Sequence, residues 1–536
     1  MIFTDVKGAG MRKAKISIII LILMMLGLIG LFVTETKVGF IASNDEIVTL
    51  DWYINFSWFT AKWGESEVSK AITEKTGVNV NFIVPSGNPS EKLNSIMATE
   101  TLPDLITLGW WEENADRLIK EDKVYALNEL ADKYDMYFYK VIDEDSFEWY
   151  RNPDGKVYCY PNSSYSPKDY ENGTNIYSNQ NFMVRKDIYE ALGEPDMTTP
   201  EGLSDAIKRA SLLFPEVDGE PLIPIGSDEF TVEGCNSFGQ YLQNFLAVPY
   251  EKNGKYYDRY TDDDYIKWLK TYRKLAEEGY MSDEIFIDRR AQIEENFAKG
   301  RYFCILYQSS DMQEQENQIY EKHPERIYIP VDGPKNSNGD DPRLPGSGLN
   351  GWTVTFISKD CKEPGKAIEL LAYMISEEGQ KMVYLGVPGS MYDEVEGKPI
   401  VKPGVLQLRN ADRNAYDKKY GADNTYWMLQ NNKVQDKWKD EEPEIGEMKE
   451  WTKPYTVYTG QYEIRFPRNS EEASINNEIQ QEWGRTLPRL LLAESEEKFD
   501  VLLQEFVERR DELGYNKVMN VSTQIMNDNK EKMGMK

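Results

Sequence analysis

Forty residues near the front of the chain leave little choice of architecture. Ile47–Tyr53, IVTLDWY, is rich in β-branched and aromatic residues and reads as a strand. Ser66–Lys75 has helical spacing, and Thr76-Gly77 offers the stop signal. Val78–Val84, VNVNFIV, reads as a second strand. Two strands joined through a helix form a parallel crossover, so the chain is committed to an α/β sheet with helices on its faces. A helix over 91–99 and a short strand in Leu102–Leu108, LPDLITL, extend the pattern. At 536 residues the chain exceeds what a single core serves, so at least two domains are expected.

Charge and composition exclude several classes. With 91 acidic against 62 basic residues the net charge is −29, and no basic stripe offsets it; nucleic acid is not an expected partner. Four cysteines, Cys159, Cys235, Cys304 and Cys361, are scattered without a CxxC pair, and their disulfide pairing stays open. The one histidine, His323, sits in the charged loop EKHPER, which argues against histidine-based metal or acid–base chemistry. The loops 216–221 and 332–341 lack the ligand pattern of a calcium loop, so no metal and no cofactor are expected. Sequence neighbours such as Glu112-Glu113 and Glu377-Glu378 read as solvated helix starts rather than a catalytic carboxylate pair.

The N-terminus has its own logic. Met11–Lys15 is basic, and Ile16–Val33 is an uncharged run of 18 residues, long enough to span a bilayer. Residues 1–43 are therefore expected to be an uncleaved signal anchor, or else a cleaved signal peptide, with the rest of the chain outside the membrane. No cysteine follows the run in TETKVGFIASNDE to carry a lipid.

Several stretches carry a family likeness in their order. These are LPDL at 102–105, NPDGKVYCYP at 152–161, the IYSNQNFMVRKD strand at 176–187, and EGYMSDE at 278–284. The fullest is Pro345–Gly386, where a Gly-rich turn leads to the strand Trp352–Ile357, a helix begins at Glu363-Pro364, and SEEG opens another. Together they resemble family 1 extracellular solute-binding proteins, the substrate receptors of bacterial ABC importers. The resemblance spans roughly residues 47–391 and implies a two-lobed periplasmic-binding-protein-like fold, with a hinge and a ligand cleft between the lobes. One lobe is expected from 44–180 with 345–385, the other from 181–344 with 386–536. The strand at 352–357 is expected to be half-buried.

What such a receptor binds is read from its side chains. Tryptophan rings stack on the C–H faces of sugars, while carboxylates and amides bond their hydroxyls. Trp58, Trp63, Trp110, Trp111, Trp352 and Trp427 fall in or beside loops, with Asn55, Glu112, Gln180, Asp311 and Asn350 nearby in the pattern. Any one tryptophan is as readily core as site, but a set at the tips of several strands favours a cleft. The expected function is capture of an oligosaccharide for an ABC permease, by a monomer at the outer face of the membrane or secreted, with no bond broken. Two rivals are an anchored polysaccharide-degrading enzyme and a receptor for a non-sugar solute such as a peptide.

Overall fold

The computed structural model describes residues 47–535 apart from 88, 100, 173–174, 440–442 and 468–469; the anchor expected in residues 1–43 lies outside them. Among the described residues no helix is long and apolar enough to cross a membrane.

The opening crossover forms as its sequence dictates. β1 (Val48–Ile54) leads through α1 (Glu67–Thr76) to β2 (Val78–Ile83), which lies parallel to β1 with Val48 opposite Val78. Ser66 caps α1 by accepting from the Ser69 amide, and Gly77 ends it at φ 70°, a conformation costly for any residue with a Cβ. α2 (Pro89–Thr99) then feeds β3 (Leu105–Gly109), parallel to β1 on its other side. α3 (Glu113–Lys120) follows at once, and β4 (Cys159–Pro161) completes this part of the first sheet.

The second sheet takes β5 (Gln180–Arg185), β6 (Ile223–Gly226), β7 (Tyr302–Gln308) and β8 (Tyr328–Pro330) in the order β8-β5-β7-β6. The chain then returns through a two-residue strand, β9 (Leu344–Pro345), to β10 (Thr353–Ile357). β10 inserts antiparallel between β3 and β4, giving the five-stranded order β2-β1-β3-β10-β4. Its five residues are all buried, not half-buried, because a central strand has both faces covered. Val354 and Phe356 enter one core and Ile357 the opposite one, while Thr355 shares a 2.8 Å hydroxyl contact with Thr107.

α4 (Pro364–Ile375) and α5 (Glu377–Leu385) follow, with Pro364 in the first turn of α4 and Ser376 capping α5. The chain does not leave the first lobe at Gly386 as the sequence suggested. Met391, Val405, Tyr416, Tyr426 and Leu429 pack into the same core as Trp52, Leu371 and Ile375. The apolar residues of 391–429 thus complete the first lobe. The second core draws instead on Met448 and on three long helices, α6 (Glu471–Leu491), α7 (Glu496–Leu513) and α8 (Tyr515–Lys532).

The connections decide where the lobes meet. β4 leaves the first sheet at Pro161 and the chain enters the second at Gln180, which pairs with Gln308 at the end of β7. β8 ends beside Met183 and its chain returns to Thr353, opposite Gly109. A third strand, β11 (Thr456–Val457), pairs parallel with β9. Both sheets therefore turn the carboxyl ends of β1, β3, β6 and β7 toward the connecting segments, where open α/β sheets bind ligands.

Candidate functional site between the lobes

Four aromatic rings gather at the carboxyl end of β1 and the start of β10. Phe56 lies 5.5 Å, centroid to centroid, from each of Trp58, Trp352 and Trp427. Trp58 and Trp352 stack 6.1 Å apart within 7° of parallel, and Trp427 closes on Trp352 at 4.6 Å. The burial is graded: Trp427 is 8% exposed, Trp352 36% and Trp58 56%. Trp427 roots the platform in the first core while the other two offer indole surface to solvent. Among the described residues its ring N–H is buried without an acceptor.

The other expected residues divide. Trp63 is core: its N–H donates to Thr73 Oγ1 at 2.8 Å and its ring packs on Tyr426 at 4.8 Å. Asn55 and Glu112 brace the sheet edge. Glu112 Oε1 accepts from the Gly109 amide at 2.8 Å and Oε2 from the Asn55 side chain, while Tyr53 donates to Asn55 Oδ1. Burial raises the Glu112 carboxyl above its ordinary range, although these hydrogen bonds pull the other way. Gln180 is buried in the second lobe, its Oε1 accepting from Asn244. Trp111 is 52% exposed and meets Trp110 edge-on at 6.1 Å; its ring lies over Gly109, where a Cβ would fall 2.7 Å away.

Trp110 and Asn350 line a cavity of about 310 Å³ to which both lobes contribute. The first lobe supplies Trp149 and Tyr150, and the second supplies Glu463 and Arg465 after β11 together with Asn529 and Lys532 of α8. Asn350 donates to Glu463 Oε2, and Tyr150 donates to the Asn350 carbonyl at 2.7 Å. Among the described residues Glu463 has no ion-pair partner, and burial pushes its carboxyl up to about 7 against the pull of the Asn350 hydrogen bond. Arg465 reaches back to Asp116 of α3 at 3.1 Å, and the Lys532 ammonium sits 4.6 Å over the Trp149 ring.

On the second lobe, Asp311 lies just past β7 and binds Arg290 at 2.6 Å. Arg290 also meets Glu294 and Tyr307, and Asp228, past β6, stands close enough to influence Asp311 and Tyr241. Desolvation raises the Asp228 carboxyl. Sequence reading missed Asp228, Arg290, Glu463 and Arg465. Asp228 follows β6 and Arg290 opens the helix Arg290–Ala298, neither on a motif, and the last two lie beyond the stretch that carried the family likeness. The four cysteines are all buried and free, and among the described residues no group of three or more His, Cys, Asp or Glu is arranged to hold a metal ion.

Comparison with known proteins decides the family. The model of the bacterial extracellular solute-binding proteins matches residues 60–381, more than half of the chain. The chain belongs to that family. Among curated proteins it is 22% identical over 347 residues to the lipoprotein LipO of Bacillus subtilis, a match over 61% of this chain and 64% of LipO, so under two thirds of that relative is spanned. Among solved structures, the alginate-binding protein AlgQ2 superposes with a TM-score of 0.67 at 19% identity, covering 90% of this chain and 99% of AlgQ2. FusA of S. pneumoniae, an ABC-transporter substrate-binding protein solved with kestose, gives 0.69 at 15% identity over the same shares. An HMO-binding solute-binding protein from Bifidobacterium longum infantis gives 0.66 at 14%, again over 90% and 99%. At these identities the likeness establishes the two-lobed fold, and the ligand has to be argued from this chain's own side chains.

Proposed function

We propose that this solute-binding protein captures an oligosaccharide outside the cell between its two lobes and delivers it to an ABC permease, breaking no bond. The observation that carries the reading is the graded platform of Trp58, Trp352 and Trp427 at the carboxyl edge of the first sheet. Two broad indole faces left partly in water are costly unless a ligand with C–H faces covers them. Asn350 and Glu463 line the cavity shared by the lobes, Asp311 and Asp228 follow β7 and β6, and groups of these kinds accept or donate as sugar hydroxyls require. The alginate, kestose and HMO named for the structural neighbours support the same ligand class. Two expectations from the sequence join the proposal: membrane attachment through residues 1–43, and action as a monomer.

Thermal unfolding against a panel of oligosaccharides, monosaccharides and peptides tests it. A ligand held only by the folded state at a hundred times its Kd adds ~2.7 kcal/mol, a clear rise in midpoint. The reading expects an oligosaccharide to give that rise and to be recovered intact. A shortened sugar would make the protein an enzyme, and a rise with peptides alone would remove the sugar.

A further inference from the structure

Resting on that carbohydrate reading, we propose that the cavity shared by the lobes is a subsite for a sugar unit bearing an anionic group, a carboxylate or a sulfate, held by Lys532 and Arg465. Helix periodicity builds one wall of it. Ile525, Asn529 and Lys532 share one face of α8, and all three line the cavity. Asn529 fixes that face by donating to the Gln461 and Glu463 carbonyls at 3.4 and 3.2 Å. Trp110 and Trp149 supply rings, and the Trp149 N–H donates to Asn350 Oδ1. The volume of about 310 Å³ lies at the low end for small-molecule sites, which suits one end of an oligosaccharide rather than its whole length.

The lining charges are Arg151, Arg465 and Lys532 against Asp116 and Glu463. Arg151 is spent on Glu148 in a two-point pair, with Nε 2.6 Å from Oε2. Asp116 is shared between Arg465 at 3.1 Å and Lys120 at 3.9 Å. Glu463 accepts from Asn350, and with its carboxyl raised to about 7 by burial it is mostly protonated, and so neutral, below that pH. That leaves Lys532. Among the described residues it pairs with no carboxylate; Glu148 reaches it only through its field, while its ammonium donates to the Trp149 carbonyl and lies 4.6 Å over that ring. Arg465 uses a single nitrogen, Nη2, for both Asp116 and the Glu112 carbonyl, and its Nε and Nη1 have no hydrogen-bond partner among the described residues.

A neutral sugar in this cavity meets the rings and amides but leaves the ammonium uncompensated. A carboxylate or sulfate oxygen gains a charge-assisted bond from Lys532, and the open edge of Arg465 offers a second pair of donors. Between two lobes such bonds are stronger than at an open surface. The net charge of −29 opposes an anion at long range, but physiological salt screens charges more than about 8 Å apart, so the groups in contact decide affinity.

The test uses the full chain in detergent, at about pH 6, against a glycan array of neutral, uronate-bearing and sulfated oligosaccharides. The strongest binder is expected to be acidic, and whether it carries carboxylate or sulfate tells which anion the subsite takes. Its neutral counterpart, carboxyl-reduced or desulfated, is expected to bind at least about tenfold more weakly. In Lys532→Met that ratio is expected to fall within about threefold, and in Lys532→Arg to stay above it. Lys532 is exposed at the end of α8, and thermal unfolding checks that both variants fold. A neutral strongest binder, or a neutral counterpart that binds as well as its acidic parent, overturns the anion subsite and leaves the carbohydrate reading intact. A full ratio kept in Lys532→Met overturns it as well. An array with no bound glycan of any charge overturns the carbohydrate reading first and this inference with it. The comparison of parent with counterpart uses the native chain, so it stands even where a variant fails to fold.

Discussion

The three tryptophans of the platform differ in what surrounds them, and that difference predicts different losses. Trp58 keeps over half of its surface in water, so Trp58→Ala should leave the unfolding midpoint within ordinary surface-mutation scatter, while Trp352→Ala, which removes a ring 4.6 Å from Trp427, should lower it modestly. Either should weaken an oligosaccharide sharply, since one sugar face of roughly 100 Å² removed from water is worth ~2–3 kcal/mol, measured by titration calorimetry. Trp427→Ala and Trp63→Ala should instead cost about 3–5 kcal/mol in denaturant unfolding, as cavities in the first core. Equal stability losses at Trp58 and Trp427 would contradict the graded burial. Glu463 makes a second residue-level prediction. Its folded carboxyl is raised to about 7, so the protein holds a proton there that the unfolded chain releases nearer the usual glutamate range. Its contribution is full below the unfolded value and is lost as pH climbs through about 7, a loss on the order of 2–3 kcal/mol. Glu463→Gln keeps an acceptor for Asn350 and should remove that loss, so the stability difference between native and variant chains should change between pH 4.5 and 7.5. A constant difference over that span would mean that Glu463 titrates normally.

Elements were more legible than the faces they present. The α1 cap at Ser66, its stop at Gly77, the proline start of α4 and the end of α5 at Gly386 all rest on local chemistry that sequence displays directly. Trp58 and Trp63 stand five residues apart in the same loop, and nothing local tells which turns outward; Trp63 goes inward because α1 offers it Thr73 and β2 offers it Phe82. Residues 391–429 were misplaced for a similar reason. They form short helices and a hairpin with no long periodic face, and their membership of the first core is set by contacts distant in sequence. Gly386 is where that local logic meets packing most tightly. It sits at φ 89°, and a Cβ there would fall 2.2 Å from Met391 Sδ. Gly386→Ala should therefore cost about 2 kcal/mol or more, through left-handed strain together with displacement of Met391 from the core. Chemical denaturation measures this, and an unchanged midpoint would show that α5 can end in another way.

At the scale of the whole molecule the lobes meet beside the cavity through a set of polar and ring contacts, and again where the helix Gln313–Lys322 packs on Pro403–Ala411. Arg465 reaches Asp116 at 3.1 Å, Asn350 donates to Glu463, and Lys532 lies over Trp149. The Arg465–Asp116 pair is partly exposed on both sides, so it supplies ~1 kcal/mol at most. A contribution that small cannot hold an empty receptor shut, but it can bias the balance of open and closed forms. If ligand binds the closed form, apparent affinity scales with the closed fraction. Arg465→Gln should therefore weaken oligosaccharide binding by no more than about fivefold, and the unliganded chain should show a larger radius of gyration in small-angle scattering. Saturating ligand should return the variant to the native closed radius, because the contacts made by the sugar outweigh one rim pair. A variant with unchanged affinity and unchanged radius would mean that Arg465 and Asp116 lie on a boundary that stays fixed as the lobes move, leaving Glu463 and Lys532 as the contacts that report closure.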